Sequence, residues 1–203
     1  MTMPGPIDFY FDFSSPYAYL GSHVIGPVAE KHGRAVVWHP FMLGIAMQGE
    51  KTFPLTQYPL KGDYSRMDFD RTARYHKIPF VMPADFPKLT LGASRGFLWI
   101  SREDPEKAVE FAKNVFAAYF VSGKDISDIA IVADIAEEVG LDRAAFMGAV
   151  QADEIKAEFK SSVEETVFKK KVFGAPFFIV DGERFWGADR VGQLDEWLTR
   201  GGW

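Results

Sequence analysis

Between residues 7 and 13 the chain alternates strictly, with Ile7, Phe9, Phe11 and Phe13 on one side and Asp8, Tyr10 and Asp12 on the other. That period of two predicts a strand with one face in a core. At Ser14-Ser15-Pro16 the period lengthens. Serine suits a helix N-cap and proline the first helical position, where its missing N–H costs nothing. Tyr19, Leu20, Val24, Ile25 and Val28 then recur at helical spacing up to His32-Gly33, whose glycine is a natural terminator. Residues 34–41, with Ala35-Val36-Val37-Trp38, predict a second strand. A strand–helix–strand unit with a crossover of this length favours a parallel pair.

From about residue 42 no strong strand pattern returns until Phe177. Apolar residues at three- and four-residue spacing, such as Ile129, Val132, Ile135 and Val139, predict helices instead. These cover 63–76, 90–100, 105–121, 127–139, 142–151 and a long last helix over 152–171; residues 80–88, with Pro83 and Pro87, form a loop. Phe177-Phe178-Ile179-Val180, Asp181-Gly182 and Glu183-Arg184-Phe185-Trp186 predict a hairpin on a favoured two-residue turn. Asp189 is then expected to cap a helix carrying Val191, Leu194 and Trp197. The sum is an α/β chain: a thioredoxin-like fold with an inserted all-helical domain. The expected division is 1–45 plus 172–203 for the thioredoxin-like part and 46–171 for the insertion, the last helix being shared from about residue 153.

Composition narrows the chemistry. The 203 residues, 47% hydrophobic and 25% charged, suffice for one core plus a sizeable insertion. With 23 Lys and Arg against 28 Asp and Glu the net charge is -5, so no basic field is present to hold nucleic acid. The start, Met1-Thr2-Met3-Pro4-Gly5-Pro6, has no basic segment leading into an apolar one, and no apolar run is long enough to span a bilayer; the expectation is a cytoplasmic protein without membrane partners. Cysteine is absent, which removes disulfides, zinc thiolates and a catalytic cysteine together. His23, His32, His39 and His76 are scattered without metal-ligand spacing, and no metal site is expected. The serines at 101, 161 and 162 lie outside any Gly-x-Ser-x-Gly elbow.

Yet Ser15-Pro16-Tyr17-Ala18 stands where a redox protein carries Cys-Pro-x-Cys. Taken alone, Ser15 is an ordinary helix cap. A helix start also stabilises an anion, a thiolate included, and a hydroxyl there can donate one hydrogen bond to a sulfur. Without its own thiol the chain has to borrow one, and glutathione is the obvious donor. A second element is Gly174-Ala175-Pro176: Pro176 either simply opens a strand or forms the cis-proline loop of a thioredoxin fold, with Ala175 presenting its backbone to an extended thiol peptide. A third is Trp186-Gly187-Ala188-Asp189-Arg190, where a bulge and a capping acid explain the residues, or Asp189 holds the ammonium of a γ-glutamyl group.

Together, residues 9–20 (Phe-Tyr-Phe-Asp-Phe-Ser-Ser-Pro-Tyr-Ala-Tyr-Leu), 171–176 (Lys-Val-Phe-Gly-Ala-Pro) and 186–190 resemble the 2-hydroxychromene-2-carboxylate isomerases and the related kappa-class glutathione transferases over nearly the whole chain. The resemblance implies a glutathione-dependent enzyme and a homodimer. Ser15 would contact the cofactor sulfur, while Ala175, Pro176, Trp186, Gly187, Ala188 and Asp189 would line the glutathione site. Pro59-Leu60-Lys61-Gly62-Asp63-Tyr64 resembles a kappa-class segment in which a lysine approaches a glutathione carboxylate, which adds Lys61. The implied reaction is cis–trans isomerisation of an unsaturated aromatic 2-oxo acid, the thiolate adding and leaving again. The alternatives are a kappa-like transferase or peroxidase, which consumes the thiol, and a non-catalytic peptide-binding module. Two features depart from the family. Ala188 replaces a serine or asparagine, and the loop 47–53 lacks the lysine and the asparagine–arginine pair placed near the substrate, with Phe86 in place of a tyrosine. Met47 and Phe86 are accordingly the candidate substrate contacts.

Overall fold

The computed structural model describes residues 5–203; the first four residues of the N-terminal run discussed above lie outside it. Strand β1 (Ile7–Phe11), helix α1 (Pro16–Lys31) and strand β2 (Val36–Pro40) form the expected unit, β1 and β2 running parallel with Ile7 opposite Val36. Strand β3 (Phe177–Val180) pairs antiparallel with β1, Phe9 opposite Phe178, and strand β4 (Glu183–Trp186) pairs antiparallel with β3. The sheet order is β2-β1-β3-β4. Asp181 and Gly182 both have positive φ (51° and 87°), as the tightest hairpin turn requires.

Period-two alternation in β1 sends Phe9 and Phe11 into a cluster of rings. Phe9 lies 4.8 Å from Trp38 and 5.3 Å from Phe178, while Phe11 and Phe13 reach Phe116 at 5.6 and 5.1 Å. The opposite face departs from expectation. Tyr10 and Asp12, on the polar side of the pattern, are 1% and 3% exposed. The cause is a second covering layer, in which the Lys170 ammonium donates to the Tyr10 hydroxyl at 3.1 Å and His39 stacks on the same ring at 4.6 Å.

Between the two β segments run α2 (Leu43–Gly49), α3 (Lys61–His76), α4 (Leu91–Ser101), α5 (Pro105–Phe120), α6 (Ile129–Glu138), α7 (Arg143–Gln151) and α8 (Asp153–Glu164). Asp104, Asp128 and Asp142 each accept a backbone N–H at a helix start, a device worth about 1 kcal/mol apiece. Three local expectations change. Met47 lies inside α2 and not in a loop, because residues 43–49 complete two helical turns directly after β2. The long last helix stops at Glu164 and widens into a π turn, Glu165–Lys169, after which Lys171 adopts a left-handed φ of 60°. Finally, Asp189 sits within a short 3-10 turn (Ala188–Arg190), and helix α9 (Val191–Arg200) begins without a side-chain cap.

Candidate active site

The centre of the site is the junction between the start of α1 and the loop that precedes β3. Ser15 has extended backbone and is 5% exposed; its Oγ accepts the Ala18 N–H at 3.1 Å, the capping bond read from the sequence. The same hydroxyl donates to the Ala175 carbonyl at 3.1 Å, across 160 residues of chain. The Ala175-Pro176 peptide is cis. Pro176 in turn packs on Gly21, one helical turn and a half into α1, and its carbonyl accepts the Gly187 N–H at 3.0 Å. Ser15, Ala175, Pro176 and Gly187 are therefore one connected group.

Two backbone donors stay open there. Ser14 and Ser15 spend their N–H groups on Asp12, Pro16 has none, and Ala18 and Tyr19 donate to Ser15. That leaves the Tyr17 N–H without a partner among the described residues, at the positive end of a helix of 16 residues. The Ala175 N–H likewise has no partner among them, beside a carbonyl that uses one of its two lone pairs.

The third element lies against the same loop. A Cβ on Gly174 would run into the Trp186 indole nitrogen, so only glycine lets that ring approach the backbone here. Trp186 remains 56% exposed and meets Phe173 edge-on at 4.8 Å. Gly187 has φ 110°, which reverses the chain after β4, and the Asp189 carboxylate folds back over it, exposed and 3.9 Å from Arg190. Ala188 is buried and offers no polar side chain.

Lys61, Met47 and Phe86 are less closely joined. Lys61 opens α3, exposed, with its ammonium 5.2 Å from the centre of the Tyr58 ring. Its helix is tied to α1 by the Tyr17 hydroxyl, which donates to Asp68 at 2.5 Å. Burial, reinforced by the Asp68 carboxylate and by the more distant Asp189, pushes the Tyr17 phenol well above its ordinary value. Met47 is half-buried on α2. Phe86, also preceding a cis proline, packs against the hydrophobic core.

Sequence reasoning missed Asp12. Its carboxylate accepts the Ser14 N–H and hydroxyl at 2.8 and 2.9 Å, the Leu43 N–H at 2.8 Å and the Thr90 hydroxyl at 3.2 Å. One buried acid thus fixes the entry to α1, the first turn of α2 and the start of α4. Burial raises its pKa, and the four hydrogen bonds oppose that rise. Alternation alone pointed it at solvent; the Asp-x-Ser spacing before the helix, an Asx-turn pattern, was the available signal.

Two concavities are relevant. One of about 210 Å³ opens between α2 and the π turn with the chain that follows it, lined by Ala46, Gly49, Glu50, Val167, Phe168 and Lys171–Phe173. A larger one, about 630 Å³, follows the open edge of β2 between α1, α4 and α5, and none of the expected site residues lines it. No group of His, Asp or Glu able to hold a metal occurs among the described residues, nor any helix long and apolar enough to cross a membrane.

Comparison with known proteins bears on the family and the fold. A 2-hydroxychromene-2-carboxylate isomerase from Pseudomonas sp. (strain C18) is 27% identical over 194 residues, 93% of this chain and 88% of that one. The glutathione S-transferase kappa 1 of Caenorhabditis elegans is 25% identical over 96% of this chain and 91% of its own. The solved structure of an HCCA isomerase superposes with a TM-score of 0.85 at 26% identity, covering 96% of this chain and 94% of that one. The model of the DSBA-like thioredoxin domain matches residues 6–199, and the chain belongs to that family.

Proposed function

We propose that the protein is a glutathione-dependent cis–trans isomerase acting on an unsaturated aromatic 2-oxo acid. The observation that carries this reading is the pair of open backbone donors, on Tyr17 and Ala175, flanking the Ser15 hydroxyl. An extended cysteinyl residue matches them: its carbonyl takes the Ala175 N–H, its own N–H turns to the Ala175 carbonyl, and its sulfur faces the start of α1. The ligand N–H then competes with Ser15 for the Ala175 oxygen. The released hydroxyl turns to the sulfur, which also receives the Tyr17 N–H, and the end of α1 favours the thiolate over the thiol. Bound glutathione would supply the nucleophile that adds to the double bond and leaves again, so the thiol is not consumed.

Within this reading Asp189 receives the γ-glutamyl ammonium, exposed and with no closer ionic partner among the described residues than Arg190 at 3.9 Å. Trp186 and Gly187 wall the tripeptide, and Lys61 approaches a carboxylate. Because Ala188 adds no polar contact, the γ-glutamyl end rests mainly on Asp189. The relatives named above support separate parts of this reading, one group isomerisation by an isomerase name and the other glutathione by a glutathione transferase name.

The deciding measurement is isomerisation of a 2-hydroxychromene-2-carboxylate followed by absorbance, with and without glutathione. Turnover that requires glutathione and leaves its concentration unchanged is expected. Full activity without the thiol overturns the proposal, and stoichiometric loss of thiol replaces isomerase by transferase chemistry.

A further inference from the structure

The 210 Å³ concavity carries an ionic feature that the reading above leaves unused. Its walls are largely apolar, with Val167, Phe168, Val172 and Phe173 on one side and Ala46 and Gly49 of α2 on the other. The face of α2 turned to it carries Ala46 and Gly49, followed by Glu50 just past the helix end, and Met47 is not among the lining residues. Lys171 lines it too and forms no ion pair among the described residues, whereas the neighbouring Lys170 is engaged with Tyr10 and Glu165. Lys171 also holds a left-handed φ of 60°, a conformation costing a residue with a Cβ about 1 kcal/mol relative to glycine. The backbone there is held by the bonds of Lys170 N–H to Glu165 and of Val172 N–H to Thr166, so the lysine is fixed at its root. The same stretch leads through Phe173 into Gly174 and the Ala175-Pro176 loop, and Phe173 touches Trp186. An apolar concavity with a free cation at its edge, on the segment that leads into the Ala175-Pro176 loop, matches an aromatic carboxylate.

We infer that this concavity is the acceptor-substrate pocket and that Lys171 binds the carboxylate of an aromatic acid, with Phe168 and Phe173 against its ring. The inference rests on the isomerase reading for its place in a reaction, and it moves substrate recognition from Met47 and Phe86 to the 167–173 segment. Glu50, the other charged group on the wall, disfavours a second anionic group on the ligand and so selects monoanions.

Binding tests this without glutathione and without turnover. 2-Naphthoate and its neutral amide are titrated into the whole protein by calorimetry. The acid is expected to bind at least about tenfold more tightly than the amide, the scale of one charge-assisted hydrogen bond. Lys171→Met removes that preference, Lys171→Arg retains most of it, and Lys169→Met, the exposed neighbour, leaves it intact. Phe168→Ala weakens acid and amide alike. Circular dichroism establishes that each variant is folded, and Lys171→Gly, which suits the left-handed backbone, repeats the test if the methionine variant is not. An unchanged preference in the Lys171 variants, or no binding of the acid at all, overturns the inference. Failure of the isomerase reading shows separately, as turnover independent of glutathione.

Discussion

At the Ser15 side of the site the contacts run through backbone groups or a buried hydroxyl, whereas at the start of α3 Leu60 is 93% exposed and the exposed Lys61 holds its ammonium over the Tyr58 ring. Both regions face the same ligand in our reading, yet they are built oppositely. Ser15, Ala175, Pro176 and Gly187 are positioned by the ends of α1, β3 and β4, so their geometry follows from the fold itself. Lys61 and its exposed neighbours are positioned by their own helix, linked to α1 chiefly through Tyr17 and Asp68. In that reading thiol placement is a property of the framework, and selectivity is a property of attachments hung on it.

The sharpest way to break the comparison is Ser15→Ala. With glutathione saturating, turnover is expected to fall by about a hundredfold, the scale of one lost transition-state hydrogen bond. The loss of the cap should cost only about 1 kcal/mol in a denaturant titration. Equal losses of turnover and stability would reduce Ser15 to a cap.

Asp12→Asn attacks the framework without touching the ligand. An amide keeps one accepting oxygen and turns its NH2 toward the Leu43 or Ser14 donor, so a destabilisation of about 1–3 kcal/mol is expected. The pH dependence has a definite sign. Because the folded pKa is raised, the native state holds the Asp12 proton more tightly than the unfolded chain, so this contribution is complete below the ordinary carboxylate value and is lost as pH rises through the folded one. Asp125, held down to about 2 by Lys88 and Ser127, contributes oppositely: its share is present above the ordinary value and disappears as pH falls. Melting curves across that range should lose the downward component in Asp12→Asn and keep the acid-side loss.

Gly174→Ala sits between the two regions. The new methyl displaces Trp186 from the loop, and glutathione affinity by calorimetry should fall by roughly tenfold, about 1.4 kcal/mol. The smallest effect belongs to the exposed helix: Lys61→Met should raise the KM for glutathione by about threefold at low salt and by less at high salt, as an exposed ion pair does. A large, salt-insensitive loss would place Lys61 with the framework after all.

The same division explains what could be read from the sequence. The strands, the parallel crossover and the Asp181-Gly182 hairpin were legible because alternation and turn chemistry are local, and Ser15-Pro16 declares a helix start on its own. The burial of Tyr10 and Asp12 was not, since it depends on Lys170 and Thr90 arriving from far along the chain. Asp189 looked like a cap because an acid before an amphipathic run usually is one; the 3-10 turn after the reversal at Gly187 moves the helix start one residue on, to Val191. The π turn defeated a pattern that continues smoothly through it, and with it the left-handed Lys171 and the concavity it lines.

The ring cluster around Phe11 bears on how the molecule comes apart. Phe97 of α4 and Phe116 of α5 both rest on that one strand residue, each at 5.6 Å. Excising the helical segment would strip Phe11 and the facing sides of α4 and α5 of packing that they share. Amide exchange in β1 and in α5 should consequently share one opening free energy, the global one, and a protease should find no stage at which the helices are digested while the sheet survives.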